Sequence, residues 1–436
     1  MKSIHALFIL PLIAFFALVS PAITQAENPA DESAAAEAHP LLGGLDRVMF
    51  LGDSITQDGR YVAYLHTALM LLDPEAMAGV EFLNLGLSAE TVSGLTEKTH
   101  GNPRPWALDR IDAALEQFQP QLTFVCYGMN DGIYHPQSEE RFDAFREGIR
   151  AVIEKLRASG SLVVLITPPV FDAFSSPHEL RDQGAEDYGY RIPYRNYSSV
   201  LQEYGWWILS QHDGVFATVD IYEPLARYIE IAREQDPEFK FGDGVHPGDD
   251  GHLIMALSIL EALDLPLPTP PEAVLNLESG DGPLLATLQS APQTLPPFLT
   301  WPPDWDPSPF ATGPVFVLPE AWNAVERVTI TETREGLEPA SQDVPVVRQR
   351  IQTDLAPELP LNQQRIAVHQ TLLEMHRELS RAGRAAVAAD AAPDSTAAAA
   401  AAELTEARAA ARQQLQRGAA QAAPQALELR ISPIRD

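Results

Sequence analysis

Along the first 265 residues, short runs that are apolar at almost every position alternate with longer stretches whose apolar residues recur every three or four positions. The short runs predict five strands: Arg47 to Leu51, Val80 to Leu85, Leu122 to Tyr127, Leu162 to Ile166 and Val215 to Val219. The longer stretches predict helices at Tyr61 to Leu72, Asp109 to Phe118, Glu139 to Ala158, Tyr197 to Gln211 and Gly251 to Leu263. In the first of these, Val62, Leu65, Leu69 and Leu72 fall on or near one face, and the third stops at Gly160. Strands without polar positions are buried on both sides. Strand and helix in alternation therefore predict an α/β fold, a parallel sheet with right-handed crossovers and helices on both faces. One long segment, Phe171 to Asn196, interrupts the rhythm. It carries Phe174, His178, Tyr188, Tyr190 and Tyr194 and is expected to be a substrate-side loop.

After Leu265 the pattern changes. Pro266, Pro268, Pro270 and Pro271 open a proline-rich segment that runs through Pro319, with Trp301, Trp305 and Trp322 in and just after it. Regular helix is excluded there by the missing N–H groups. Val315 to Leu318 and Val328 to Thr331 are candidate strands. Asn362 to Arg381 is amphipathic, with Ile366, Leu372, Leu373, Met375 and Leu379 apolar and Gly383 as its expected stop. His369 and His376 on it lie about 10 Å apart along the axis, too far to share a metal ion, and are read as surface histidines. Ala397 to Arg417, closed by Gly418, is either a second helix or alanine-rich low complexity. As helices the two form a hairpin, packed on the core or on another subunit. The expected organisation is a signal peptide (1–26), a disordered tether (27–40), an α/β domain (41–265), a proline-rich linker with a small β element (266–345) and a helical appendage (346–436).

The signal reading rests on Lys2, the apolar run Ala6 to Val19 and the small-residue site Thr24-Gln25-Ala26. It implies an exported, periplasmic or secreted protein. The alternative is an uncleaved amino-terminal anchor. A formal net charge of −30 repels nucleic acid and anionic membranes, so neither is expected as a partner. Cys126, the sole cysteine, lies inside a strand run and is read as a buried hydrophobe.

Four short polar stretches fall after predicted strands or before the last helix: Gly52-Asp53-Ser54, Asn84-Leu85-Gly86, Gly128-Met129-Asn130-Asp131 and Asp243-Gly244-Val245-His246. Strand ends lie side by side at one edge of such a sheet, so Ser54, Gly86 and Asn130 can converge. The chemistry they suggest is acyl transfer. Ser54 is the nucleophile, His246 the base that takes its proton, and Asp243 the carboxylate that orients the imidazole. The backbone N–H groups of Ser54 and Gly86 and the side-chain amide of Asn130 are the expected oxyanion donors.

Together these blocks resemble the four motif blocks of the SGNH hydrolases, also called the GDSL lipase/esterase superfamily, with Gly-Asp-Ser-Ile in place of Gly-Asp-Ser-Leu. The resemblance covers about Asp46 to Leu265. It implies a three-layer α/β/α sandwich with a five-stranded, flavodoxin-like parallel sheet. It also implies a serine hydrolase with neither cofactor nor metal, and the same roles for Ser54, Gly86, Asn130, Asp243 and His246. The expected activity is hydrolysis of short acyl esters, acetyl first, of carbohydrates or small polar alcohols. The alternatives are a lysophospholipase or thioesterase of the same family, or a binding protein that keeps the fold. Oligomeric state is left open.

Overall fold

A computed structural model describes residues 44–265 without a break. Beyond them it describes residues 272–274, 284–289, 315–317, 326–333, 339–345, 350–352, 360–390, 397–422 and 426–433. The signal-like segment 1–26, the tether 27–40 and Trp301, Trp305 and Trp322 lie outside the described residues.

In the first part β1 (Arg47–Gly52) leads through α1 (Ser54–Asp58), α2 (Arg60–Leu72) and α3 (Pro74–Met77) to β2 (Glu81–Asn84). Then follow α4 (Ile111–Phe118), β3 (Leu122–Cys126), α5 (Glu139–Ala158), β4 (Leu162–Ile166), α6 (Tyr197–Leu209), β5 (Ala217–Val219), α7 (Tyr222–Gln235) and α8 (Asp249–Ala262). The five strands form one parallel sheet in the order β2-β1-β3-β4-β5. That is the flavodoxin-like order, which reverses direction between β1 and β3 and so opens a crevice at their carboxyl ends. Helices cover both faces, as the largely apolar strands require. At the centre, Phe50 of β1 stacks on Phe124 of β3 with centroids 4.8 Å apart, and both are buried. Cys126 is buried there too, and burial pushes its thiol well above the usual range, so it behaves as a small apolar residue.

Several boundaries differ from the sequence pattern for local reasons. Helix α1 is a single turn begun by Asp53, whose carboxylate accepts the Ile55 N–H at 3.0 Å. The stretch read as one helix from Asp109 is divided: Ala107–Asp109 forms a 3₁₀ turn and α4 starts at Ile111. Helix α7 was not anticipated. Asp220 Oδ1 accepts N–H groups from Tyr222 and Glu223, and Leu225, Tyr228, Ile229 and Ala232 supply a buried stripe. That capping residue and that spacing were both readable.

The rest of the chain comprises β6 (Glu272–Val274), β7 (Leu284–Gln289), β8 (Val315–Val317), β9 (Arg327–Thr333), β10 (Ala340–Pro345) and β11 (Arg350–Gln352). They are followed by α9 (Pro360–Asp390), α10 (Ala397–Ala422) and β12 (Ala426–Pro433). Strands β10, β9, β12 and β7 make an antiparallel sheet in that order, and β11, β8 and β6 make a smaller one. Because β12 comes from the last residues and sits between β9 and β7, the β element draws strands from both sides of the helices. It does not end where the helical segment begins.

Helices α9 and α10 form the expected hairpin, and it packs on the core through α2, β2 and α4. Three readings of this segment need correction. Neither Gly383 nor Gly418 ends a helix; both lie inside one. At Gly383 the reason is contact. A Cβ there would come within 3.2 Å of Leu83 Cδ1 and 3.3 Å of Leu85 Cδ2, so glycine lets α9 lie close on the end of β2. Its helical cost of ~1 kcal/mol relative to alanine is offset by the packing it permits. His369 and His376 are not at the surface but buried against α2. Nε2 of His376 lies 3.1 Å from Nδ1 of His66, and Nδ1 of His369 lies 3.2 Å from the Thr67 hydroxyl. Helix α2 explains this. It is buried almost all round, between α8 and α9, and an all-round buried helix must seat its polar residues against polar partners.

Burial drives the titration of His376 down to about 3 and of His369 down to about 4, and holds His66 well below its ordinary value. Unfolded, each takes a proton near pH 6.5. Depressed folded values mean that their contribution to stability is complete above about pH 6.5 and is lost progressively as the pH falls toward the folded values. Buried Asp53 and Asp131, whose values are raised, work in the opposite direction, so the informative quantity is a difference. Thermal melts between pH 7 and pH 5 should show His376→Leu losing less stability with acid than the parent, by up to about 1.4 kcal/mol per pH unit. Equal slopes would contradict the buried assignment.

Candidate active site

The crevice predicted by the strand order is occupied by the residues that the sequence singled out. Ser54 begins α1 at the carboxyl end of β1, and Asn130 follows β3. His246 and Asp243 lie on the loop before α8. His246 Nε2 is 2.8 Å from Ser54 Oγ, and His246 Nδ1 is 2.9 Å from Asp243 Oδ2. An ionised carboxylate only accepts, so Nδ1 carries the proton and Nε2 is the acceptor facing the serine hydroxyl. The other oxygen of Asp243 accepts the backbone N–H groups of Val245 (3.0 Å) and His246 (2.7 Å), which fixes the carboxylate to its own loop.

The loop is held from behind. Asp172 N–H donates to Gly244 O at 2.8 Å, and Phe241 N–H donates to Ser175 Oγ at 2.7 Å. Arg233 pairs with Asp172 at 2.5 Å. The same segment sends Tyr190 into the cleft wall, where its ring meets Tyr134 edge-on at 5.6 Å. Phe171 to Asn196 thus reaches the cleft, as a substrate-side loop should.

Electrostatics follow from burial and these bonds. The Asp243 carboxylate raises His246 above its ordinary value, outweighing the desolvation that lowers it. Burial alone would raise Asp243, but the hydrogen bonds from His246 bring it down to about 2. Burial lifts Asp53 to about 7 and Asp131 to about 6, so both carboxyls beside the cleft hold protons far above the usual carboxylate range. Asp131 is oriented by the N–H groups of Val92 (2.9 Å) and Ser93 (2.8 Å).

One predicted site residue is displaced. Gly86 N–H donates to Asn84 Oδ1 at 2.8 Å, and Gly86 is absent from the cleft lining. Its glycine identity has a different cause. A Cβ would stand 2.2 Å from Gln57 N, so only glycine lets this turn cross α1. The cleft is lined instead by Ala89, three residues on, with Ser54, Ser88, His100, Arg104, Asn130, Tyr134, Tyr190, Val245 and His246. Ala89 has φ +65°, a left-handed conformation uncommon for alanine. Its neighbours' N–H groups are committed, Ser88 to Gln57 Oε1 (2.6 Å) and Glu90 to Leu87 O (3.1 Å). Among the described residues, no hydrogen bond engages the Ala89 N–H. Asn130 is fixed at both ends of its amide: Nδ2 donates to Glu90 O (3.2 Å) and Oδ1 accepts from Tyr134 (3.1 Å). A second N–H on Nδ2 is left for the cleft.

Sequence reading passed over Ala89, Glu97 and Arg104. An alanine carries no chemical signal. Glu97 and Arg104 lie in a stretch with neither strand nor helix, where Pro103 and Pro105 flank the arginine.

Residues 50–254 match the model of the GDSL-like lipase/acylhydrolase family. No curated protein matches the chain. Among solved structures, a gut microbial diltiazem-metabolizing enzyme is similar over 89% of this chain and 98% of its own, at 14% identity and a TM-score of 0.59. A catalytic mutant of an acetylxylan esterase from Geobacillus stearothermophilus aligns over 50% of this chain and 94% of its own, at 19% identity and a TM-score of 0.36. An acetyl xylan esterase, AlAXEase, aligns over 50% and 98% at 23% identity and a TM-score of 0.34.

The imidazole of His246 should titrate above 6.5, and Asp243→Asn should bring it down by removing the group that raises it. Proton NMR titration of the histidine C–H resonances measures both. An unchanged value in Asp243→Asn would contradict the assigned contact.

Proposed function

The domain spanning residues 50–254 belongs to the GDSL-like lipase/acylhydrolase family of carboxylic ester hydrolases, and from that premise we propose that Ser54, His246 and Asp243 act as a catalytic triad on short acyl esters. The observation that carries the reading is the unbroken chain of contacts from Ser54 Oγ through both imidazole nitrogens to Asp243 Oδ2.

Ser54 Oγ attacks the ester carbonyl carbon while His246 Nε2 takes the hydroxyl proton. The imidazolium that forms is stabilised by Asp243, already ionised because its value lies near 2. The carbonyl electrons move onto oxygen. In this reading three N–H donors on the cleft lining serve it: Ser54 backbone, Ala89 backbone and Asn130 Nδ2. Ala89 thus takes the role expected of Gly86. The tetrahedral intermediate collapses as His246 returns the proton to the departing alcohol, leaving an acyl-serine. Water, deprotonated by the same imidazole, then attacks the acyl carbon. The carboxylic acid leaves and Ser54 is restored.

Short acyl groups are supported by space. The cleft holds ≈ 220 Å³, below the range of about 300–1,000 Å³ that drug-sized ligands fill. Its wall of Tyr134, Tyr190 and His100 offers ring faces and polar groups of the kind that suit a sugar or another polar alcohol, with acetyl as the first candidate acyl group. The signal-like sequence of residues 1–26 supports a substrate met outside the cytoplasm, in the periplasm or beyond.

Hydrolysis of p-nitrophenyl acetate tests the reading. Ser54→Ala should lower kcat/KM by at least about 1,000-fold while the fold is kept. The parent rate should fall with acid through a midpoint above 6.5, because protonated His246 cannot accept the serine proton. Equal rates for the parent and Ser54→Ala, or a rate flat down to about pH 4, would contradict it.

A further inference from the structure

Under the cleft lies an ion pair that none of the steps above uses. Arg104 Nε donates to Glu97 Oε2 and Nη2 to Glu97 Oε1, each at 2.7 Å. The two side chains are 2% and 1% exposed. An ion pair this deep is a poor source of stability, because desolvating both charges offsets their attraction. What it does supply is geometry, since a planar guanidinium gripped at two nitrogens has a fixed third edge. That edge meets the cleft. Arg104 Nη1 donates to Ala89 O at 3.2 Å. Glu97 Oε1 also accepts the backbone N–H of Tyr190 at 3.2 Å. Gly189 allows that approach, because a Cβ there would fall 2.1 Å from Thr99 Oγ1 and 3.0 Å from Glu97 Cγ. Three loops of the cleft therefore converge on one buried pair: the Ala89 turn, the 93–106 segment and the tyrosine loop.

We propose that Glu97 and Arg104 are positioning residues for ester hydrolysis: the pair holds the Ala89 peptide in its left-handed conformation, so that the Ala89 N–H is aimed at the oxyanion, and it sets the Tyr190 wall. The proposal rests on the reading of the cleft as a serine esterase site. A non-glycine residue keeps positive φ only where its surroundings over-determine it. Here the restraints can be named on both sides of the turn. Arg104 takes Ala89 O. The following residue, Glu90, is held by Arg110 Nε (2.5 Å) and by the Tyr127 hydroxyl (2.5 Å), and Asn130 takes its carbonyl. Arg110 and Asn130 fix Glu90, whereas among the described residues Arg104 alone is hydrogen-bonded to the carbonyl of Ala89. Arg104 acts through Ala89 and not on the acyl group, so its effect belongs in kcat. A donor turned away from the oxyanion weakens the transition state and leaves the ground state nearly as it was.

The test compares the full chain with Arg104→Lys, Glu97→Gln and the double variant Ala89→Gly/Arg104→Lys, using p-nitrophenyl acetate. Lysine keeps the charge but cannot grip Glu97 at two points while reaching Ala89 O. Glu97→Gln keeps the shape and loses the charge, so it serves if Arg104→Lys does not fold. Each single variant should lose roughly 10- to 100-fold in kcat with KM changed less than about threefold. Glycine needs no support at positive φ, so Ala89→Gly should restore at least about threefold of the kcat lost in Arg104→Lys. A loss confined to KM, an unchanged kcat, or no recovery in the double variant would overturn the proposal. Ser54→Ala, measured alongside, separates the two claims. If Ser54→Ala is inactive and Arg104→Lys is not impaired, only the positioning role fails. If Ser54→Ala is as active as the parent, the esterase reading itself fails.

Discussion

The contact between Ser54 Oγ and His246 Nε2 joins residues 192 positions apart in the chain, and the rest of the structure is arranged so that this contact can exist. Neither residue can reach the other unless β1 and the segment before α8 end at the same edge of the sheet. The parallel sheet brings Ser54 there, because every strand delivers its successor loop to that edge, and the loop between α7 and α8 brings His246 to meet it. The loops are then fixed individually. Asp53 starts the turn that carries Ser54. Asp243 ties its own loop by two backbone bonds, and the Asp172, Ser175 and Arg233 cluster supports it from behind. The apolar core sets the distances, and polar groups at the rim set the angles.

The cleft also holds backbone that departs from ordinary conformations. Ala89 and Tyr134, both lining it, have positive φ without being glycine. Strain of this kind lasts only where hydrogen bonds outnumber the freedoms they remove. Around Ala89 those bonds come from buried charges, Glu97 with Arg104 and Glu90 with Arg110, whose removal from water is costly and is offset by their pairing. On the opposite side of α2, the helical hairpin seals the core and buries three histidines in doing so. Closure there and precision in the cleft use the same device, polar groups withdrawn from water and paired.

Much of this was legible in the residues. β1, β3 and β4 are almost wholly apolar runs, and such a run suits a central parallel strand buried on two faces. Ser54, Asn130, Asp243 and His246 could be placed because strand ends converge whatever the intervening lengths. What escaped follows from the same physics. Gly86 looked like a donor because glycine leaves its N–H open, but here glycine answers a backbone crossing with Gln57, and a hydrogen bond to Asn84 takes the N–H. Ala89 offered nothing to notice, since its part depends on φ and not on its side chain. Gly383 and Gly418 read as helix stops because glycine favours helix ends; inside α9, close packing on Leu83 and Leu85 outweighs that preference. His369 and His376 read as surface residues because a single helix does not show what covers it. Only the docking on α2 brings His66 to within 3.1 Å of His376.

The central claim is that His246 makes Ser54 a nucleophile. Its most direct measurement is covalent labelling by a fluorophosphonate, with the adduct located by peptide mass spectrometry in the parent and in His246→Ala. A single adduct on Ser54, formed at least about 100-fold more slowly in His246→Ala, is the expected result. An adduct on another residue, or a labelling rate indifferent to His246, would contradict the account.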